Sequence, residues 1–170
     1  RSHMKAVILA AGEGRRLSPL TNVRPKPMLP VANEPILARV IDAVAKAGIE
    51  QIVLVVGYKS DRIQQYVGDG DKWGVKVEYV RQKKQLGTGD AVLEAETQVD
   101  GDFLVLNGDR VIDSTILEDV IDCRRETEET VMAVTRADEP SLYGVVEVES
   151  GRVQRIVEKP QPHEISSDVI

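Results

Sequence analysis

Four cations, Arg15, Arg16, Arg24 and Lys26, fall within twelve positions and follow directly on Ala10-Ala11-Gly12-Glu13-Gly14. Guanidinium and ammonium groups make charge-assisted hydrogen bonds to phosphate oxygens. Small residues let a ligand approach the main chain and leave its amide N–H groups free to bind anions. With Glu13 as the only acid in the run, the stretch suits a polyanion such as a triphosphate. The plainer alternative is a glycine-rich turn with solvated surface cations, which is common in α/β proteins. Two nucleotide fingerprints fail here. Leu17 stands where the dinucleotide pattern needs its third glycine, and no Gly-Lys-Ser or Gly-Lys-Thr is present.

Two other positions carry usable chemistry. The amide of Gln82 can present a donor and an acceptor to a pyrimidine edge, the alternative being a solvent-exposed glutamine. Asp109 follows an apolar run in Asn107-Gly108-Asp109. It can cap a helix or steady a turn, or it can supply the one or two carboxylates that Mg²⁺ takes from protein when phosphates provide the rest. His3 and His163 have no metal-ligand or triad spacing.

These groups need a scaffold, and the hydrophobic pattern supplies one. Ala6 to Ala10 and Gln51 to Val56 read as buried strands, the second ending at Gly57. Between them Pro35 opens a helix with Ile36, Leu37, Val40, Ile41 and Val44 on one face, ending near Gly48. Ser60 or Asp61 caps a short helix to Val67, and Gly68 to Asp71 is loop. Val75 to Val80 alternates as a strand, and Thr88-Gly89-Asp90 opens a helix through Ala91, Val92 and Ala95. Asp102 to Leu106 is a buried strand. The next helix starts at Asp113 or Ser114, with Ile116, Leu117, Val120 and Ile121 as its stripe and a solvated charge run at 124–129. Strands are expected at 130–135, 143–148 and 153–157, the last two flanking a turn at Ser150-Gly151. The class is therefore α/β: a Rossmann-like three-layer sandwich whose mostly parallel sheet is extended by a mixed segment. Ligands of such sheets bind beyond the carboxyl ends of the strands, where the loops at 11–26, 82–89 and 107–109 all lie.

Bulk properties bound the function. At 170 residues, 42% hydrophobic and 29% charged, the chain reads as one ordinary globular domain. A net charge of -6 argues against a general nucleic-acid or anionic-membrane binder. The lone Cys123 cannot form an internal disulfide, and no signal peptide or run of eighteen apolar residues is seen, so a cytoplasmic setting is expected. Arg1-Ser2-His3 ahead of Met4 is set aside as an expression scar, leaving 4–170 as the domain.

The run Leu9-Ala10-Ala11-Gly12-Glu13-Gly14-Arg15-Arg16-Leu17, with Pro25-Lys26-Pro27 after it, resembles the signature of the sugar-phosphate nucleotidylyltransferases. Arg15 replaces the threonine that many members carry, while Arg16 keeps the arginine. The segment from Gln82 to Ala91, which includes Gly87-Thr88, is similar to the uridylyltransferase branch that handles glucose 1-phosphate or N-acetylglucosamine 1-phosphate. Asn107-Gly108-Asp109 and Glu158-Lys159-Pro160 keep the family's order. The resemblance implies transfer of a nucleotidyl group from UTP or dTTP to a sugar 1-phosphate, with Mg²⁺ as cofactor and pyrophosphate as product. By the same resemblance Leu9, Ala10, Ala11, Gly12, Gly14, Arg15, Gln82, Gly87 and Thr88 hold the nucleotide. Asn107, Gly108, Gly144, Glu158 and Lys159 hold the sugar phosphate, and Asp109 holds the metal. For Glu158 and Lys159 a surface ion pair is the competing account. Arg16 and Lys26 are the expected catalytic cations, stabilising charge as two polyanions are aligned.

Members of the family extend further, so the resemblance also implies the N-terminal part of a longer catalytic domain. In that reading a second metal ligand, part of the sugar pocket and the surfaces for homo-oligomer formation lie in the continuation. A noncatalytic nucleotide-binding or regulatory module on the same fold is the alternative from another class. A Rossmann-type oxidoreductase is disfavoured by the unfilled third glycine.

Overall fold

The computed structural model describes residues 4–12, 24–57 and 60–170, which divide into two compact units, 1–122 and 123–170. The first holds, in chain order, β1 (Lys5–Ala10), β2 (Pro30–Val31), β3 (Glu34–Pro35), α1 (Ile36–Lys46), β4 (Gln51–Val56), α2 (Ser60–Val67), β5 (Lys76–Arg81), α3 (Thr88–Leu93) and β6 (Phe103–Asn107). α4 (Ser114–Thr127) follows, and the second unit carries β7 (Gly144–Glu149) and β8 (Arg152–Glu158).

β1, β4, β5 and β6 form one sheet in the order β5-β4-β1-β6, every neighbour parallel. Two helical crossovers carry the chain outward from β1 to β4 and β5, and a third returns it past β1 to β6. Because parallel crossovers are right-handed, this reversal sends the third connection to the opposite face. The packing follows. Leu37, Val40, Ile41 and Val44 of α1 and Ile63 and Val67 of α2 pack on Ala6, Ile8, Ala10, Ile52, Leu54 and Val56. Ala91 of α3 and Ala95 pack on Val7, Ala11, Val53 and Val55 of the other face. The alternation along β1 and β4 thus divides one apolar run between two cores, as expected of strands covered on both sides. β6 is the exception. Its Leu106 is buried, but Phe103 and Val105 on the other face are 38% and 43% exposed.

The expected helices and parallel strands are present, with shifts of a residue or two at their ends. Three expectations need correction. On α4 the buried stripe reduces to Leu117 and Ile121, four positions apart, while Ile116 is exposed. The strand expected at 130–135 does not form. Thr135 instead exchanges main-chain hydrogen bonds with Ile170, and an isolated bridge joins Arg136 to Val169, so only the end of that run finds a backbone partner there. The strands after the parallel sheet, finally, form among the described residues a two-stranded antiparallel sheet of their own rather than a continuation of the parallel ladder. In that hairpin Ser150 and Gly151 both take positive φ, 50° and 78°. That two-residue turn matches the twist of its flanking strands. Among the described residues no helix is long and apolar enough to cross a membrane.

One glycine fixes how β6 leaves the sheet. Gly108 donates its N–H to the Leu9 carbonyl at 2.8 Å, and a Cβ there would lie 3.1 Å from that oxygen and from Ile8 Cγ2, and 3.3 Å from Ala10 Cβ. The backbone oxygen cannot yield as a side chain can. Gly108→Ala should therefore cost about 1–3 kcal/mol by overpacking, read as a lower urea midpoint at unchanged m-value. An unaltered midpoint would show that the approach to β1 is slack.

Candidate functional site

With every strand of the sheet parallel, the exits of β1, β4, β5 and β6 lie along one edge, and the order reverses between β1 and β6. Such a reversal opens a crevice in which ligands of this architecture bind. The loops that border it are tied together by short contacts. Gly57, leaving β4, has no room for a side chain, since a Cβ would stand 3.0 Å from the Ala11 carbonyl oxygen and 3.2 Å from Ala11 Cβ. Gln82, leaving β5, donates its main-chain N–H to Val56 at 2.9 Å. Gln85 reaches back to the first loop, its Nε2 donating to the Ala11 carbonyl at 2.6 Å.

The cation of the first loop meets the acid of the β6 exit. Lys26 Nζ lies 2.6 Å from Asp109 Oδ2, with the two side chains 35% and 30% exposed. Sequence places these residues 83 positions apart. Lys26 begins a single helical turn, Lys26–Met28, in which Pro27 and Met28 are buried. Met28 enters the core beneath α1, and Met28 and Leu29 donate back to Pro25 and Lys26 at 2.8 and 3.1 Å. The Pro-Lys-Pro-Met sequence thus buries its flanking apolar residues and turns the lysine out toward Asp109. Asp109 inherits its place from Gly108, which is held on β1.

The β5 exit is built around Gln82, the one polar side chain buried among the described residues, 5% exposed. Its Nε2 donates to the Gly87 carbonyl at 3.1 Å and to Asp90 Oδ2 at 2.7 Å. Both amide protons are therefore used inside the loop. The donor expected to reach a base is committed, and Oε1 remains as the acceptor. Gly87 sits at φ 116° and ψ -178°, a region that is essentially glycine's alone. Its carbonyl also accepts the Ala91 N–H at 3.1 Å, which starts α3.

The structure accordingly brings Leu9, Ala10, Ala11, Gly12, Lys26, Gln82, Gly87, Thr88, Asn107, Gly108 and Asp109 to one edge of one unit. Among the described residues nothing lies within 4 Å of where a Cβ on Gly12 would stand. Gly14, Arg15 and Arg16 lie outside the described residues. Gly144, Glu158 and Lys159 belong to the second unit, where a Cβ on Gly144 would stand 3.0 Å from Glu158 Oε2. Gly144 and Glu158 face one another in the β7–β8 register. Lys159 takes a left-handed φ of 46° and donates its N–H to Tyr143 at 2.9 Å, which holds the backbone beside Glu158. The Lys159 ammonium lies 3.8 Å from Glu158 Oε1, so the surface ion pair weighed from sequence does form. Sequence reasoning assigned no role to Gln85 or Asp90. Both stand in the Gln82–Ala91 segment, but their polar character alone does not reveal that one latches a distant carbonyl and the other a neighbouring amide.

Comparison with known proteins gives the family. The sequence profile of the family described as nucleotidyl transferase matches residues 5–169. A bifunctional protein GlmU from Methanococcus maripaludis is 43% identical over 168 residues, covering 98% of this chain and 38% of that protein. A mannose-1-phosphate guanylyltransferase catalytic subunit beta from Xenopus tropicalis is 41% identical over 164 residues, covering 93% of this chain and 46% of the relative. The chain thus spans less than half the length of these relatives. A solved Bacillus anthracis structure, assigned as a glucose-1-phosphate thymidylyltransferase and in complex with a sucrose, superposes with a TM-score of 0.86 at 27% identity, covering 98% of this chain and 68% of the other. The matched profile runs from the first residue of β1 to the penultimate residue, and the chain therefore belongs to the nucleotidyl transferase family.

Proposed function

We propose that this edge transfers a nucleotidyl group from UTP or dTTP to a sugar 1-phosphate, releasing pyrophosphate. The observation that carries the reading is the Lys26–Asp109 pair at the reversal of strand order, 2.6 Å apart. It sets a phosphate-binding cation beside a single carboxylate. In the transfer, an oxygen of the sugar phosphate forms a bond to the α-phosphorus, and the bond from that phosphorus to the bridging oxygen of the β-phosphate breaks. The electron pair leaves with pyrophosphate. The attacking oxygen is already anionic, so no protein nucleophile or general base is needed. What the protein must do is align two anions that repel and offset the charge that builds at the α-phosphorus.

Lys26 is positioned for that task, and the resemblance gives Arg16 the same role. The small residues at Ala10, Ala11 and Gly12 suit a close approach of the phosphates, while Gln82 Oε1 suits the N3–H of uracil or thymine. Gly144, Glu158 and Lys159 are the residues the resemblance gives to the sugar phosphate. Mg²⁺ fits the donor set, because it is typically held by one or two carboxylates with phosphate and water oxygens completing its shell. Asp109 would hold it, and when bound it would shield phosphate charge. The exposed, unpaired Cys123 agrees with a reducing, cytoplasmic setting.

The direct test is pyrophosphate release over a matrix of UTP, dTTP, GTP, CTP and ATP against several hexose 1-phosphates, with Mg²⁺. A requirement for both a pyrimidine triphosphate and a sugar phosphate supports transfer, whereas nucleotide binding without release points to a noncatalytic module. Lys26→Ala should lower kcat by roughly 10²–10³, the loss typical of one preorganised charge donor, with its thermal midpoint little changed. Activity near the parent level would remove Lys26 from the reaction. Asp109→Ala should raise the Mg²⁺ concentration needed for half-maximal rate by about tenfold or more, as loss of a carboxylate ligand implies. An unshifted Mg²⁺ titration would place the cation elsewhere.

A further inference from the structure

The Asp90 carboxylate has no assigned role, yet it lies 2.7 Å from Nε2 of Gln82, the one buried polar side chain among the described residues. A glutamine amide can ordinarily rotate end for end, and so present either its NH₂ or its oxygen to a ligand. Here it cannot do so without loss. Its two partners, Asp90 Oδ2 and the Gly87 carbonyl at 3.1 Å, are both acceptor oxygens, so the reversed amide would set Oε1 against two oxygens in a poorly solvated place. An unpaired polar group so buried is costly. The orientation is therefore fixed from behind, and among the described residues Oε1 carries no hydrogen bond and is not one of the fully buried, unpaired atoms.

We infer that Asp90 is a positioning residue that sets base preference, by holding Gln82 so that it offers only an acceptor. The inference rests on the proposed reading, in which Gln82 meets the base. Uracil and thymine carry a ring N3–H, and guanine a ring N1–H, each able to donate to Oε1. Cytosine N3 and adenine N1 are acceptors and would face the oxygen unfavourably. The site thus takes keto bases with a ring N–H and rejects the amino bases, whichever sugar is used. Gly87 is part of the same device, because its carbonyl is aimed at Gln82 by a backbone conformation that a residue with a side chain resists.

The test is the ratio of dissociation constants for Mg·CTP and Mg·UTP, measured by calorimetry on the parent chain and on Asp90→Ala and Asp90→Asn. The parent should favour UTP by about 10²-fold or more, since a site built to accept a hydrogen bond discriminates strongly against a base that lacks the donor. Asp90→Ala removes the shorter of the two contacts that oppose turning and leaves only the Gly87 carbonyl at 3.1 Å, so the ratio should fall to roughly 10-fold or less, mainly by tighter CTP binding. Asp90→Asn keeps an acceptor at the same place and should restore most of the preference. General loosening of the loop would weaken both nucleotides together. A parallel loss with an unchanged ratio overturns the inference, as does a parent that binds CTP as well as UTP or binds neither. Selective binding without pyrophosphate release would count against transfer while leaving the role of Asp90 standing.

Discussion

Parallel pairing of β1 with both β4 and β6 is the constraint on which the rest of the structure depends. Parallel strands cannot be joined by tight turns, so each is followed by a crossover, and every strand then ends on the same edge. Three loops from distant parts of the sequence are delivered there before any side chain is considered. The registers Leu9↔Val55 and Leu9↔Asn107 place the end of β1 between its neighbours, which makes the first loop the natural centre of the edge.

What turns this coincidence into a site is close contact between main chains. Gly57 and Gly108 give up side chains so that the β4 and β6 exits can lie against Ala11 and Leu9. Gln85 adds a side-chain latch from the β5 exit to Ala11. Gln82 and Asp109 are thus carried on backbone whose position is set by neighbouring backbone. That is a stiffer support than flexible side chains provide, because interiors packed this densely leave little room to yield.

The fold was legible where pattern and period agree. The apolar runs of β1 and β4, and the helical stripe Leu37, Val40, Ile41 and Val44, could be read directly because strands covered on both faces and helices covered on one leave different signatures. The strand expected at 130–135 misled for the converse reason. Its short apolar run, Val131-Met132-Ala133-Val134 between two threonines, is strand-like, but a strand also needs a ladder partner, which no local pattern encodes. Ile116 failed similarly: it lies at helical spacing, yet the covered stripe of α4 is only wide enough for Leu117 and Ile121. At the site, Lys26 and Asp109 could be named from residue type and resemblance, and the strand topology brought them together. Asp90 could not be singled out, since its importance lies in which way it turns an amide, and orientation has no signature in a string of residue types.

The outer face of β6 has a further consequence. Phe103-Leu104-Val105-Leu106-Asn107 is an uncharged, proline-free segment at the end of the strand order among the described residues, and two of its large side chains are partly exposed. Segments of this composition on a sheet border are where foreign chains tend to add. Acids stand close on both sides in sequence, Asp100 and Asp102 before it and Asp109 after it, and flanking charges of this kind act as gatekeepers by making self-stacking repulsive. Asp109 thereby stands both beside Lys26 and among these flanking acids, so under the proposed reading a change there touches solubility as well as chemistry.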